Sequence, residues 1–330
     1  MKTFRLDLWK PEEYTYAAAY GFMPNVRAFL HDEDDGVRKC MIVVPGGGYC
    51  MLAPHEGELV AMEYYRMGLN AFVLTYTNDI TMCVPLKKQP MSDLSRAVRL
   101  VRMHSSEYHL DPDKLLICGF SAGGHVCGCL CTHFEDVTDP DPALNAISNR
   151  PDAAIFGYPV ITSGKYTHIY SMQALLGQNP SEEELEYFSV EKQVKENTPP
   201  CFLWQTVEDN LVPVENVYLF AKALKEKNVP YCQYVYPHGG HGLSTASMEL
   251  FSGWKGGDYV TEQVWLALEH VKNDTAVNMN PQRKEELMQQ FFAPKDPNQA
   301  PPEFPKPTTN PFADVNTWVE LSRIWFERFL

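Results

Sequence analysis

Short apolar runs alternate along this chain with longer segments in which apolar residues recur every three or four positions. Runs of the first kind predict strands, and segments of the second kind predict helices. The predicted strands cover 26–30, 40–44, 71–76, 115–118, 153–156, 201–205 and 231–236, and the main predicted helices cover 56–67, 91–108, 122–132 and 214–227. Continuously apolar strands separated by helices predict an α/β fold, with a mostly parallel central sheet and helices on both faces.

The alternation continues to residue 244, so we expect a single domain over residues 1–330 that contains one insertion, 245–313. Two helical stretches are predicted within the insertion, at 259–272 and 282–292. They are followed by a passage without regular structure, because prolines occupy positions 294, 297, 301, 302, 305, 307 and 311. A terminal helix over 314–330 is expected to follow and to pack on the sheet.

The net charge of −14 limits the partners of the chain, because it repels phosphate backbones and anionic lipid head groups. No local cluster of Lys and Arg reverses this charge, so we expect no nucleic-acid partner. No apolar run is long enough to predict a membrane span, and residues 1–20 lack the apolar core of a signal peptide. We therefore expect a cytoplasmic protein with no membrane partner.

Three of the nine cysteines, Cys127, Cys129 and Cys131, are close enough in sequence to raise the question of a metal site. On a helix, steps of two residues point successive side chains about 200° apart, so the three thiols do not converge on one ion. We interpret them as reduced cysteines of the core, and we expect no metal.

The strongest functional motif is GFSAG at 119–123, which joins the predicted strand 115–118 to the predicted helix 122–132. A nucleophilic serine on such a sharp turn has a strained backbone, and glycines two positions away on either side avoid clashes. Ser121 is therefore the candidate nucleophile. The amide of Ala122 lies at a helix N-terminus, where it can donate to a developing oxyanion. The alternative is an ordinary turn with an incidental serine.

A second glycine-rich motif, PGGGY at 45–49, follows the predicted strand 40–44 and belongs at the carboxyl edge of the sheet. The amides of Gly47 and Gly48 are candidates to complete an oxyanion hole with Ala122. The rival interpretation is a phosphate-binding loop, which would require GxxxxGKS/T or GxGxxG at the start of a helix. Neither pattern is present.

The candidate general base is a histidine in PHGGHG at 237–242, which follows the last predicted strand. In hydrolases with this order of elements the histidine comes last, after the nucleophile and the acid. Glycines on both sides of His241 allow the bent, exposed loop that a catalytic imidazole requires, so we favour His241 over His238. The other eight histidines, including His125, are interpreted as ordinary polar or packed residues.

The carboxylate that orients the base is expected on the loop after the preceding strand. Asp209 is preferred, because it lies just before a proline that begins a helix, where a turn can direct it toward His241. Glu208 and Glu215 are the alternatives. The chain order of Ser121, Asp209 and His241 matches one hydrolase topology and neither of the two common serine-protease orders.

Together these motifs resemble the α/β-hydrolases of the esterase and lipase group, and more narrowly intracellular carbohydrate acetylesterases similar to acetyl xylan esterases. The resemblance covers residues 20–244 and the terminal helix. It rests on PGGGY at 45–49, GFSAGGH at 119–125, YPVITSG at 158–164, LLG at 175–177, TPP at 198–200, VEDNLVPVEN at 207–216 and GGHGLS at 239–244. Pro45 departs from the family pattern, since many relatives have a histidine there.

The resemblance implies a serine hydrolase that cleaves short-chain acyl esters, in particular acetyl esters of carbohydrates. An acyl-enzyme would form on Ser121, with His241 as base and Asp209 as its partner. No cofactor is implied; the partner is a small-molecule ester, and a homo-oligomer is compatible with the sequence. Two alternatives remain open, a peptidase or amidase of the same fold and a non-catalytic ligand-binding protein on a hydrolase scaffold.

The insertion at 245–313 begins directly after the histidine loop, so we expect it at the rim of the active site. There it would form a lid, a wall or an oligomer contact and narrow the site toward short acyl groups. Its apolar residues require a cover, and they include Val264, Trp265, Leu268, Val271, Phe291, Phe292, Phe304 and Phe312. The alternative is a position along the back of the sheet, away from the chemistry.

Overall fold

The structure of the protein, a computed structural model, describes residues 1–32, 36–254, 256–294, 307–328 and 330. Within these ranges eight strands form one sheet. In chain order the strands are β1 (Lys2–Asp7), β2 (Asn25–Leu30), β3 (Arg38–Val44), β4 (Asn70–Thr75), β5 (Leu110–Phe120), β6 (Ala153–Gly157), β7 (Cys201–Thr206) and β8 (Tyr231–Tyr236). Their spatial order is β1-β2-β4-β3-β5-β6-β7-β8. Strands β3 to β8 are parallel to one another, whereas β1 and β2 are antiparallel to their neighbours.

Helices cover both faces of this sheet. Strands β4, β6 and β7 are buried at every residue, and successive side chains of a strand point to opposite faces. The α-helices of the described residues are α1 (Glu58–Arg66), α2 (Gln89–Met103), α3 (Ser121–His133), α4 (Pro142–Asn145), α5 (Ile169–Leu176), α6 (Glu182–Tyr187), α7 (Glu215–Glu226), α8 (Met248–Phe251), α9 (Glu262–Lys272), α10 (Pro281–Phe292), α11 (Ala313–Asn316) and α12 (Trp318–Phe326). The predicted mostly parallel sheet with helices on both faces is confirmed.

Strand β1 and helices α5 and α6 lie outside the elements that the sequence predicts. Strand β1 is at the edge of the sheet and is largely exposed, so it lacks the continuous apolar run of a central strand. Helix α6 does carry a sequence signal. Ser181 and Glu184 form a capping box at its start, the pattern of a helix N-terminus.

The terminal helix predicted over 314–330 is instead two helices, α11 and α12, which meet at Thr317. The Thr317 hydroxyl donates to the carbonyl of Asp314 at 2.5 Å, and the Thr317 amide donates to the same carbonyl at 3.2 Å. A side chain that bonds a nearby carbonyl in this way competes with the regular helical ladder. Trp318 then donates its indole N–H to the carbonyl of Ser244 at 2.9 Å, which fixes α12 beneath the histidine loop.

In the insertion, α9 and α10 pack against each other. Val264, Leu268 and Val271 of α9 are buried in one cluster with Leu287 of α10 and with Ile80. Two residues that follow the PGGGY loop, at positions 50 and 51, pack against the same cluster, so these helices lie beside that loop. Trp265, one of the apolar residues of the insertion that were expected to be covered, is instead 59% exposed. Phe304 and the prolines at 297, 301, 302 and 305 lie outside the described residues.

No helix in the described part of the chain is long and apolar enough to span a membrane.

Candidate active site

Ser121 is the first residue of α3 and directly follows the end of β5. Its φ angle is +51°, in the left-handed region that residues other than glycine rarely adopt. The turn requires glycine at position 123, because a Cβ atom there would lie 2.1 Å from the carbonyl oxygen of Val44. A Cβ atom at position 119 would lie 2.5 Å from the carbonyl oxygen of Gly123. The local sequence therefore produces the sharp strand-to-helix turn that places Ser121 at the carboxyl end of the sheet.

Ser121, His241 and Asp209 form one continuous chain of hydrogen bonds. The Ser121 Oγ atom lies 2.8 Å from His241 Nε2, and His241 Nδ1 lies 2.7 Å from Asp209 Oδ2. Because a carboxylate only accepts hydrogen bonds, Nδ1 carries the proton, and Nε2 of the neutral imidazole accepts the Ser121 proton. The structure thus brings together the three residues that the sequence selects, from the segments that follow the carboxyl ends of β5, β7 and β8.

Asp209 is held on its second oxygen as well. Its Oδ1 atom accepts the amide of Leu211 at 3.0 Å and the amide of Val212 at 2.9 Å. The Asp209 side chain is fully enclosed, whereas the His241 side chain keeps 15% of its surface exposed. One edge of the imidazole is therefore fixed by a buried carboxylate, and the other edge faces the serine and solvent.

The two alternatives to these residues pair with each other. His238 Nδ1 lies 2.9 Å from Glu208 Oε1, with 73% of one side chain and 56% of the other exposed. The hydrogen bond to Glu208 raises the pKa of His238. This pair is exposed to solvent, and among the described residues neither side chain bonds a residue of the candidate triad. Glu215, the third candidate carboxylate, is the first residue of α7.

The PGGGY loop runs beside Ser121. A Cβ atom on Gly46 would lie 2.7 Å from the Cβ of Ser121, so the approach depends on glycine. Gly47 and Gly48 follow with φ angles of +125° and +65°. Among the described residues, none accepts a hydrogen bond from the amide of Gly47 or Gly48. Ala122 is the second residue of α3, where an amide has no acceptor within its helix. The three amides that the sequence selects as oxyanion donors therefore have no acceptor within their own loop or helix among the described residues.

A buried carboxylate that the sequence analysis does not identify, Glu56, holds the PGGGY loop. Its Oε2 atom accepts the amide of Gly46 at 2.7 Å, and its Oε1 atom accepts the hydroxyl of Tyr158 at 2.7 Å. The Tyr158 oxygen in turn accepts the amide of Ser244 at 2.9 Å. The Tyr158 ring packs with its centroid 4.9 Å from that of His241. One carboxylate therefore connects the loop of the oxyanion candidates to the loop of the candidate base.

Tyr158 keeps its phenol proton, and so it maintains the hydrogen bond to Glu56 that connects the two loops. Burial, reinforced by the charge of Glu56, raises the pKa of Tyr158 well above its ordinary value, so the phenol keeps its proton and continues to donate. At position 45, where many relatives have a histidine, the Pro45 carbonyl accepts the Tyr76 hydroxyl at 2.9 Å. No local motif reveals Glu56, since its partner Tyr158 is 102 positions away.

Tyr49, the last residue of the PGGGY loop, is held by a hydrogen bond to the buried His125. The Tyr49 hydroxyl lies 2.7 Å from His125 Nδ1, and His125 Nε2 donates to the Phe188 carbonyl at 2.8 Å. Because Nε2 is the donor, Nδ1 accepts the phenol proton. Complete burial lowers the pKa of His125 to about 4, so this imidazole stays neutral. His125 is a packed residue that supports the loop, as the sequence analysis interprets it.

The three clustered cysteines are buried free thiols of α3. Burial raises the pKa of all three, that of Cys131 to about 12, which disfavours the thiolate that a metal ion or an electrophile would need. In the part of the chain that the structure describes, no group of three His, Cys, Asp or Glu side chains is arranged to hold a metal ion.

Comparison with known proteins places the chain in a family. The model of the BD-FAE family matches residues 28–224. The chain is 60% identical over 267 residues to endo-1,4-beta-xylanase B of Butyrivibrio fibrisolvens, a match that covers 81% of this chain and 42% of that protein. It is 28% identical over 224 residues to the acetylxylan esterase of Xylanibacter ruminicola, covering 65% of this chain and 42% of that protein.

A solved structure matches most of the chain as well. The crystal structure of an acetyl ester-xyloside bifunctional hydrolase from Caldicellulosiruptor lactoaceticus superimposes with a TM-score of 0.69 at 36% identity, and the match covers 83% of this chain and 97% of that one. By contrast, the chain spans about two fifths of the length of the two curated relatives, 42% in each case.

Proposed function

We propose that this chain, which belongs to the BD-FAE family and has the α/β-hydrolase fold, is a serine esterase that removes short acyl groups from carbohydrates. The hydrogen-bond chain from Ser121 through His241 to Asp209 carries this assignment, with heavy-atom distances of 2.8 and 2.7 Å. Both distances fall in the range expected between a nucleophile, its general base and the group that orients the base.

In the proposed reaction His241 Nε2 takes the proton of Ser121 as Oγ attacks the ester carbonyl carbon. The tetrahedral intermediate then expels the alcohol, which receives that proton from His241, and the acyl group remains bound to Ser121. A water molecule repeats the sequence, giving its proton to His241 as it attacks the acyl-enzyme, and the acid leaves with Ser121 restored. The Asp209 carboxylate stabilises the imidazolium in both halves of the reaction.

The negative charge of the tetrahedral intermediate would be stabilised by the amides of Gly47, Gly48 and Ala122. These donors are fixed before the substrate arrives, because Glu56 holds the preceding residue of the loop and the helix fixes Ala122. Preorganised donors of this kind lower the barrier without the cost of reorienting solvent.

The names of two relatives support a small acyl group on a sugar. The relatives include one named acetylxylan esterase and one named acetyl ester-xyloside bifunctional hydrolase. Acetylated xylosides are therefore the substrate class that we propose for this chain.

The test is a comparison of substrates with the purified protein. We expect p-nitrophenyl acetate to be hydrolysed with higher kcat/KM than the butyrate and octanoate esters, acetate to be released from acetylated xylo-oligosaccharides, and Ser121→Ala to be inactive on all of them. Faster cleavage of acylated peptide amides than of any ester would favour the peptidase alternative. A native protein that hydrolyses none of these esters would contradict the assignment and favour a non-catalytic binding protein.

A further inference from the structure

A polar pocket of about 620 Å³ is lined by segments that neighbour the PGGGY loop. Three segments form its walls: residues 81–83 after β4, helix α5 with the residues that follow it, and the start of α10 with the residues that precede it. Five of its eleven lining residues belong to the insertion, namely Asn278, Asn280, Gln282, Arg283 and Glu286. The insertion therefore creates a wall that the rest of the fold does not provide.

Two walls of the pocket contact the PGGGY loop. On one side the amide of Asp79 donates to the carbonyl of Tyr49 at 2.9 Å, and Asp79 leads into the 81–83 wall. On the other side a Cβ atom on Gly48 would lie 3.8 Å from His168 Cε1. The ring centroid of Tyr170, which lines the pocket, is 6.1 Å from that of His168. The two segments that contact the PGGGY loop therefore continue directly into the lining of the pocket.

His168 marks the boundary between the pocket and the candidate triad. Burial lowers the pKa of His168. His168 Nδ1 lies 2.7 Å from the hydroxyl of Ser171, which fixes the ring at the start of α5. The ring of His168 is therefore fixed at the start of the helix that carries Tyr170 and Gln173 of the pocket lining.

The lining chemistry is dominated by uncharged amides. Five side chains, Gln173, Gln178, Asn278, Asn280 and Gln282, end in groups that both donate and accept hydrogen bonds. The charged residues of the lining cancel, because Arg283 pairs with Glu286 at 3.0 Å. Such a surface favours neither an anion nor a long apolar chain. It is complementary to a neutral ligand with many hydroxyl groups.

Tyr170 adds an aromatic face to this surface. Its side chain is 65% exposed on α5, where it has little contact with the core. A tyrosine ring packs against an apolar face while its hydroxyl bonds a polar group, and a sugar ring offers a C–H face and hydroxyls together. Within the described residues, the side chains of Gln173, Gln178 and Asn278 have no hydrogen-bond partner in the protein. They are available to a ligand.

We propose that this pocket is a saccharide subsite, which binds unmodified sugar units next to the unit that carries the ester. It makes the chain selective for acetylated oligosaccharides over small acetyl esters. The position of the ester relative to the pocket rests on the proposed function, whereas sugar binding itself requires no turnover.

The first experiment compares kcat/KM for acetylated xylo-oligosaccharides of two to five units with that for p-nitrophenyl acetate. We expect Tyr170→Ala and Gln178→Ala each to lower kcat/KM on the longest oligosaccharide about 3- to 10-fold, the value of one aromatic or hydrogen-bond contact, and to leave p-nitrophenyl acetate unchanged. The matched controls are Tyr218→Ala, another exposed tyrosine, and Gln290→Ala, an exposed glutamine of α10 outside the pocket lining. Equal effects of the pocket and control variants would overturn the subsite.

The second experiment measures binding of unacetylated xylotetraose to Ser121→Ala protein by calorimetry, with cellotetraose as a second probe. We expect binding that Tyr170→Ala, added to the same protein, weakens about 3- to 10-fold. Binding of neither saccharide would overturn the subsite even if the native protein hydrolyses p-nitrophenyl acetate. If the native protein hydrolyses no ester but the saccharide still binds through Tyr170, the esterase assignment fails and the subsite remains.

Discussion

The loops after β7 and β8 form two histidine–carboxylate pairs of opposite character. The two hydrogen bonds are nearly the same length, 2.7 Å for His241 with Asp209 and 2.9 Å for His238 with Glu208. The exposed fractions differ sharply, 15% and 0% in the first pair against 73% and 56% in the second. An exposed pair contributes little because solvent screens it, whereas an enclosed carboxylate fixes its partner. Enclosure, rather than pairing, therefore separates a candidate catalytic histidine from a surface histidine.

The backbone between the two histidines explains how one loop provides both. Gly239 has a φ angle of +125° and Gly242 one of +84°, so the chain reverses direction on either side of His241. The carbonyl of Gly239 accepts the Thr206 hydroxyl at 2.7 Å, which fixes the first reversal to the end of β7. Of the two glycines that flank His241 in the sequence, Gly242 therefore acts through the left-handed backbone that it permits, whereas Gly240 has no positive φ.

The largest expected effect on activity comes from replacing His241 by alanine, with the same substitution of His238 as the comparison. His241→Ala removes the proposed base and should lower kcat/KM on p-nitrophenyl acetate by about 10⁴- to 10⁶-fold, the range found when a member of such a triad is lost. His238→Ala removes an exposed partner of Glu208 and should change kcat/KM by less than about 2-fold. Steady-state kinetics of both variants would decide between them. A large loss in His238→Ala would break the comparison.

Of the two carboxylates, the enclosed Asp209 should matter for kcat far more than the exposed Glu208. Asp209→Asn keeps the volume but replaces the acceptor of the Nδ1 proton, so it should lower kcat about 10³- to 10⁴-fold by disfavouring the productive tautomer of His241. Glu208→Gln is the matched control on the adjacent position and should leave kcat nearly unchanged. If the two variants lost activity equally, enclosure of the carboxylate would not be what matters.

Glu56 should have an intermediate effect. Glu56→Gln keeps only one acceptor oxygen for two donors, the amide of Gly46 and the hydroxyl of Tyr158, so the PGGGY loop loses part of its support. We expect kcat to fall about 10- to 100-fold with KM little changed, because oxyanion donors act mainly in the transition state. Glu63→Gln on α1 is the control and should retain kcat. Parallel changes in KM and kcat, or none, would show that Glu56 does not position this loop.

A third histidine extends the comparison to an imidazole with no carboxylate. The pKa of His125 is lowered by burial to about 4, so between pH 6.5 and 4 the unfolded chain binds a proton that the folded chain does not. Stability is therefore lost as the pH falls through this window and is regained above it. The shift corresponds to about 2 kcal/mol at pH 5.

The effect of His125 is measured by urea unfolding of native and His125→Gln protein at pH 7.5 and pH 5. Glutamine does not titrate, so the native protein should lose about 2 kcal/mol more stability than the variant on going to pH 5. The difference between the two proteins removes every titration that they share. An equal loss in both would contradict a buried, neutral His125.

Much of the fold follows from local patterns in the sequence. All seven predicted strands occur, because a strand buried on both faces needs an unbroken apolar run that is visible in a short window. Strand β1 was not predicted, because it is an exposed edge strand and has no unbroken apolar run. The break between α11 and α12 at Thr317 could not be predicted either. It depends on one hydroxyl that competes with the backbone hydrogen bonds of the helix, and the spacing of apolar residues carries no information about such a bond.

The residues of the candidate site also fall into two groups, those that local sequence patterns predict and those that only the folded structure identifies. Ser121, Asp209 and His241 lie on loops whose glycines and prolines carry local signals, so residue type and chain order are enough to select them. Glu56 is selected only by its contacts with distant residues, Tyr158 among them. The saccharide subsite depends on α5 meeting α10, which lie more than a hundred positions apart and share no sequence pattern.

The most direct measurement of the central claim is covalent labelling with a fluorophosphonate, which reacts with a serine only when its base activates it. Peptide mass spectrometry of the native protein should find one label, on Ser121. The label should form equally fast in His238→Ala and should be nearly absent from His241→Ala over the same time. Labelling of another residue, or equal labelling of the two histidine variants, would contradict an activated Ser121–His241 pair.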